Sequence, residues 1–237
     1  MNCPLKYKFS HINKIEPKEK SARVLFRESL HKTIQYFYNV IKNEERIPSN
    51  TELREYWGDI WLNDLDIEKV LYNNSNEKGR LTKKGYSYLQ KFYQNNKYNP
   101  GIPIGVNVDY TIQLDKYSIS GNIELIRSKN DKIQVVYFST AQYQLSEFQI
   151  LNDINYTLTS YAFRQMFGQK EDALISYHLA TGKEIFLSRG RKDVEKVLTT
   201  IDNIYNTIKD NRYWQRMSYL CTQCPYQDFC TNWTGKE

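Results

Sequence analysis

The sequence predicts a mixed α/β fold around a central sheet, and three observations predict it. Helical apolar spacing fills roughly the first hundred residues, three β-type runs follow between about 106 and 140, and helical and β-type segments then alternate. Helices, three strands, a helix, a hairpin and a helix make an α/β (α+β) domain with a mixed sheet. At 237 residues the chain can bury a sizeable core. It is read as one domain over 1–237 with a helical subdomain at about 45–100.

Each element has a local reason. In SARVLFRESLHKTIQYFYNVIKN (21–43), Val24, Leu25, Leu30, Ile34, Phe37, Tyr38 and Ile41 form an apolar stripe at helical spacing. Ser49 or Asn50 caps a further helix with Glu52 in its first turn, and helical pieces continue to about Asn96. YNPGIPIG (98–105) is a breaker cluster and the best internal boundary. VNVDYTIQLD, YSISGNIELI and KIQVVYFST are strands separated by the turns LDK and RSKND. SEFQILNDINYTLTSYAFRQMFG (146–168) returns to helical spacing and stops at Gly168. ALISYHLATGKEIFLS turns through Ala180–Lys183 as a hairpin, and RKDVEKVLTTIDNIYNTIKD (191–210) is an amphipathic helix.

Charge and composition exclude little. Lys plus Arg exceed Asp plus Glu by 33 − 27 = +6, which permits a polyanionic partner without demanding one. The 20 tyrosines accompany a general richness in Asn, Lys and Ile and carry little weight. No stretch approaches the roughly 18 apolar residues of a membrane helix, and no secretory signal is recognisable. The expectation is a soluble, cytoplasmic protein with no membrane partner.

The four cysteines are the strongest chemical signal. Cys221, Cys224 and Cys230 share the closing stretch CTQCPYQDFC, and Cys3 stands in the opening MNCPLKYKF. In a reducing compartment such a set is read as metal ligands before disulfides. A structural zinc accepts four thiolates, and so does a 4Fe–4S cluster. Zinc sites favour two close pairs, whereas three plus one suits a cubane, so the cluster is the first reading and zinc the second.

These two stretches resemble the iron–sulfur staple of RecB-like nucleases, the AddB-type helicase–nuclease subunits and CRISPR-associated exonucleases of the PD-(D/E)XK superfamily. The resemblance covers nearly the whole chain. It implies a restriction-endonuclease-like core bracketed by "CPxxYxF" and "CxxCxYxxxC" motifs, with Cys3, Cys221, Cys224 and Cys230 on the cluster. It also implies a helix histidine, an acid after a glycine on one strand, Asp-x-Lys on the next, and a helix with Gln and Tyr. In that family the carboxylates hold magnesium or manganese beside the scissile phosphate, and the lysine steadies the developing charge.

Residue by residue the match is partial. His31 takes the helix position, with Arg27 where a glycine is usual. In SGNIELI, Gly121 fits and Glu124 takes the place of the aspartate. VVYFST departs from "VVDYKT": Tyr137 replaces the acid and Ser139 the lysine, between matching Val135, Val136, Phe138 and Thr140. Tyr161 is kept, while Thr157 replaces glutamine. A phenol that titrates near 10 is a poor magnesium ligand at neutral pH, and serine carries no positive charge. Lys129 or Lys132 are the nearest stand-ins by sequence for the lysine, and Glu147 for the acid.

The resemblance thus implies a degenerate nuclease fold, with no catalytic residue expected and a remnant site of His31, Glu124, Tyr137, Ser139, Thr157 and Tyr161. Such a protein would bind DNA or act as a scaffold beside a protein partner in a repair, recombination or defence complex. Arg189, Arg191 and Lys192 at the start of the late helix are candidates for phosphate contacts. Two alternatives stand beside this: a magnesium- or manganese-dependent exonuclease with a rearranged site, and a protein-interaction module that no longer binds nucleic acid.

Overall fold

The computed structural model describes residues 3–17, 19–67, 69–218, 221, 222 and 224–233, and only the backbone at 64–67. Residues 1 and 2 of the opening motif and residue 223 of the cysteine stretch lie outside the described residues.

The chain starts with α1 (Pro4–Tyr7) and a π-helical turn (Lys8–Ile12). A two-residue strand, β1 (Lys20–Ser21), precedes α2 (Ala22–Glu44). Then come α3 (Asn50–Ile67), β2 (Val70–Leu71), which pairs in parallel with β1, and α4 (Glu77–Asn96). Strands β3 (Ile102–Gln113), β4 (Ser118–Lys129) and β5 (Lys132–Ser139) follow in a meander. Helices α5 (Glu147–Leu151) and α6 (Ile154–Phe167) lead to β6 (Ala173–His178) and β7 (Lys183–Leu187). The chain finishes with α7 (Arg191–Lys209) and α8 (Gln227–Thr231). The sheet order is β3-β4-β5-β6-β7, antiparallel except for β5 beside β6. This is the mixed sheet that the element order predicts.

Alternation along the strands gives the sheet two apolar faces. Leu125, Val136, Phe138, Ile175 and Tyr177 join α2, α3 and α4 in one cluster, through Leu30, Phe37, Trp57, Trp61, Leu89 and Phe92. Ile126, Val135 and Leu174 join α6 in another, through Tyr156, Ala162 and Phe163. The result is a helix–sheet–helix sandwich. A third, small cluster of Leu5, Phe9, Tyr213 and Tyr226 brings the first helix to the cysteine stretch.

Three local expectations change. The stripe of α2 buries Leu25, Leu30, Ile34, Phe37 and Tyr38, but Val24 faces solvent. Strand β3 begins inside the breaker cluster at Ile102; it tolerates Pro103 because it is an edge strand and its register shifts there. The segment 146–168 is two helices, not one. Ser146 and Gln149 form a capping box on α5, and Asp153 caps α6 by accepting from the Asn155 N–H at 2.9 Å. Among the described residues no helix is long and apolar enough to cross a membrane.

Candidate functional site

The remnant site forms where strand β4 separates from β5 while it stays paired with β3. Against β3 the register runs from Val106↔Leu125 to Val108↔Ile123, with Asn107 at a positive φ of 51° and unpaired with Glu124. Against β5 it stops at Leu125↔Val136. Glu124 therefore sits at the mouth of an opening, and its carboxylate takes over a bond the ladder has lost: the Phe138 N–H donates to its Oε2 at 2.6 Å. Its Oε1 lies 3.2 Å from Nδ1 of His31, which reaches across from α2. Both side chains are mostly shielded, at 15% and 19% exposure. His31 and Glu124, paired in the sequence reading by motif alone, are in contact.

Tyr137 flanks the pair, its ring 4.8 Å from that of Tyr156. Burial, then the Glu124 carboxylate, Tyr156 and Asp153, push its phenol far above the ordinary value, against a downward pull from Arg27. It is a neutral hydroxyl at physiological pH. The Tyr156 hydroxyl is buried against Ser176 Oγ at 2.6 Å. Ser139 is buried too, its Oγ accepting from the Ala141 N–H at a long 3.4 Å. Tyr161 packs half-buried against the α6 face of the sheet.

Several expected residues are placed elsewhere. Lys129 and Lys132 face each other where the β4–β5 hairpin closes. Lys129 is five residues from Glu124 along one strand, roughly 17 Å, so neither lysine stands in for the missing one. Glu147 faces solvent in the first turn of α5. Arg189 is 1% exposed and does not present its charge to a ligand at the surface. Its guanidinium donates to Thr157 Oγ1 at 2.9 Å, the Ile150 carbonyl at 2.9 Å and the Ser188 carbonyl at 3.4 Å. Thr157, read as a remnant of the site, is thus a buried acceptor for that arginine. Arg191 is exposed and paired with Glu195 at 2.8 Å, and Lys192 is exposed. The start of α7 already holds an acid, because Asp193 Oδ2 accepts from the Gly190 N–H at 2.7 Å.

Sequence reading missed Asp153 and Tyr156, which surround Tyr137. The signal was there in NDINY: an Asp in N-cap position followed three residues later by a Tyr on the inward face of the helix.

The four cysteines are half-buried and unpaired by disulfides. Cys3, Cys224 and Cys230 pack against the same small apolar cluster. Burial pushes the Cys230 thiol up, Gln215 opposes it, and Cys3, Cys224 and Cys221 each push it further. The Ser218 N–H donates to Cys221 Sγ at 3.3 Å. Among the described residues no three or more His, Cys, Asp or Glu side chains converge as the ligands of one metal ion.

Comparison with known proteins bears on the fold. A crystal structure of a proposed exonuclease from Eubacterium rectale superposes with a TM-score of 0.55 at 13% identity, covering 100% of this chain and 84% of that one. The protein SSO0001 gives a TM-score of 0.37 at 12% identity over 88% of this chain and 95% of that one. VC1899 from Vibrio cholerae gives 0.27 at 12% identity over 75% of this chain and 46% of that one. No curated protein matches the chain. Residues 1–231 match the family model of the PD-(D/E)XK nuclease superfamily, and the chain belongs to that superfamily.

Proposed function

We propose that this protein is a catalytically silent member of the superfamily that binds DNA within a larger repair, recombination or defence complex. The observation that carries the reading is strand β5 beside Glu124. A neutral phenol and a buried hydroxyl, Tyr137 and Ser139, stand where an acid and a lysine would hold metal and phosphate. Magnesium is held through carboxylates and keeps several waters. The donors here do not fit it, since Glu124 is bonded to the Phe138 N–H and lies against His31, and Asp153 is engaged as the cap of α6.

The cysteines belong to the same proposal as ligands of a 4Fe–4S cluster. Four half-buried thiols without disulfides suit it by donor chemistry. A cubane takes each thiolate on its own iron, so its thiols need not converge on one point as around a zinc. When bound, the cluster supplies a cross-link between the two ends of the fold.

The proposed exonuclease that shares this fold motivates the competing reading of a metal-dependent exonuclease, although a likeness at 13% identity carries the fold and not the chemistry. One assay separates them. Anaerobically purified protein is offered single- and double-stranded DNA with magnesium or manganese, Glu124→Ala beside it, and binding is titrated on the same samples. No cleavage with salt-sensitive binding is the expected result. Cleavage that Glu124→Ala abolishes overturns the silent-site reading. Absence of both removes DNA from the proposal and leaves a protein scaffold. The paired substitution Tyr137→Asp with Ser139→Lys should create magnesium-dependent cleavage above that of the parent protein.

A further inference from the structure

Among the described residues, Arg27 is a strong cation near the remnant site that the fold leaves uncommitted. Arg23, Arg46, Arg127, Arg164, Arg191 and Arg212 are each held by a carboxylate. Arg189 is bonded inside the protein. Arg27 is exposed, and among the described residues its guanidinium makes no hydrogen bond or ion pair. It lies four residues before His31 on α2, so the two side chains share one face of the helix. His31 touches Glu124 at 3.2 Å, and Arg27 acts on the Tyr137 phenol. Arg27 thus lies on the helix face that meets Glu124 through His31.

The charges there differ from those of a metal-dependent site. An acid at position 137 would repel a phosphate unless a cation stood between them. Tyr137 removes that negative charge and offers a hydroxyl instead. Glu124 already accepts from the Phe138 N–H and lies against His31. Asp153, the other acid near Tyr137, accepts from the Asn155 N–H at the start of α6. An arginine fork suits phosphate oxygens by geometry as well as by charge.

We propose that Arg27, on the helix face it shares with His31, forms a metal-independent subsite for one backbone phosphodiester of bound DNA. This rests on the DNA-binding reading above. The guanidinium does the electrostatic work that magnesium does elsewhere in the fold, and the strand is held without being cut.

Fluorescence anisotropy of a labelled oligonucleotide tests it, in EDTA and in magnesium at matched ionic strength. The parent protein should bind equally in both. Arg27→Ala should weaken binding about tenfold and reduce the slope of log K against log salt by about 0.9 on duplex or about 0.7 on single strands. Arg27→Lys should keep the slope. Arg46→Ala, beyond the far end of the same helix, should change neither quantity. Arg27 is exposed, so unfolding is no obstacle, and a thermal melt of the variant checks this. Parent-like binding by Arg27→Ala, or parent binding that requires magnesium, overturns this inference alone. Absence of binding by the parent overturns it together with the DNA-binding reading.

Discussion

Glu171 shows how a single buried charge is kept in this protein. It is 3% exposed, and it accepts from Ser160 Oγ at 2.6 Å and from Arg164 at 2.8 and 3.0 Å. Burial alone would raise its carboxyl, but the bonds from Arg164 and Ser160 outweigh burial and hold it below the ordinary value. A carboxyl lowered in the folded state adds stability above its unfolded value of about 4.3, and that stability is lost as pH falls through the lower folded value. Glu171→Gln should therefore cost about 3 kcal/mol near neutral pH. Urea unfolding of variant and parent should show the gap narrowing as pH falls below about 4.3. The sequence made some side chains legible and hid others. Tyr137 and Ser139 were visible as departures because their neighbours in VVYFST keep the strand pattern. Arg189 was not, because its acceptors Thr157 and Ile150 lie more than thirty residues away and nothing in SRGRK marks it as buried. The remoteness of Lys129 and Lys132 was there to be read, since strand rise alone separates them from Glu124.

Between elements, contact depends on small residues as much as on large ones. Gly85 on α4 lies under the indole of Trp57 on α3, and a Cβ there would overlap the ring. Trp57 is buried, donates to Ser29 Oγ at 3.0 Å and stacks on Trp61 at 5.9 Å, so it has no room to retreat. Gly85→Ala improves helix propensity yet should destabilise the protein by about 2 kcal/mol through overpacking, read as a lower thermal midpoint. Periodicity revealed the long helices and the meander, because their apolar residues recur over many positions. It joined α5 and α6 into one, since Ile150, Ile154 and Leu158 recur at helical spacing across a break that only the cap at Asp153 reveals. It also placed the start of β3 late, because proline and glycine look like a boundary until the strand is known to lie at an edge.

On the scale of the molecule, the ends of the fold meet. The Leu5 N–H donates to the Trp214 carbonyl at 3.2 Å, and the Tyr226 hydroxyl to the Ile15 carbonyl at 3.1 Å. A cluster on Cys3 and Cys221 would close a loop of 221 − 3 = 218 residues. Cross-linking a loop of that size is worth about 4 kcal/mol or more in the chain-entropy picture. Protein purified without oxygen should be brown, absorb broadly near 400 nm and carry about four irons per chain. Cys224→Ser should lower the iron content and the thermal midpoint together. A colourless protein with one zinc per chain would remove the cluster from the proposal.

The contact between Tyr226 and Ile15 spans 211 positions, and this sets a schedule for biosynthesis. The sandwich of α2 to β7 can assemble while the polypeptide is still being made. The segment around Leu5 and Phe9 cannot, because its packing partners Tyr213 and Tyr226 are made long after it. Those apolar side chains wait uncovered until those partners are made. At roughly 5–20 residues per second, that is an interval of ten seconds or more in which a chaperone would find its substrate in that segment.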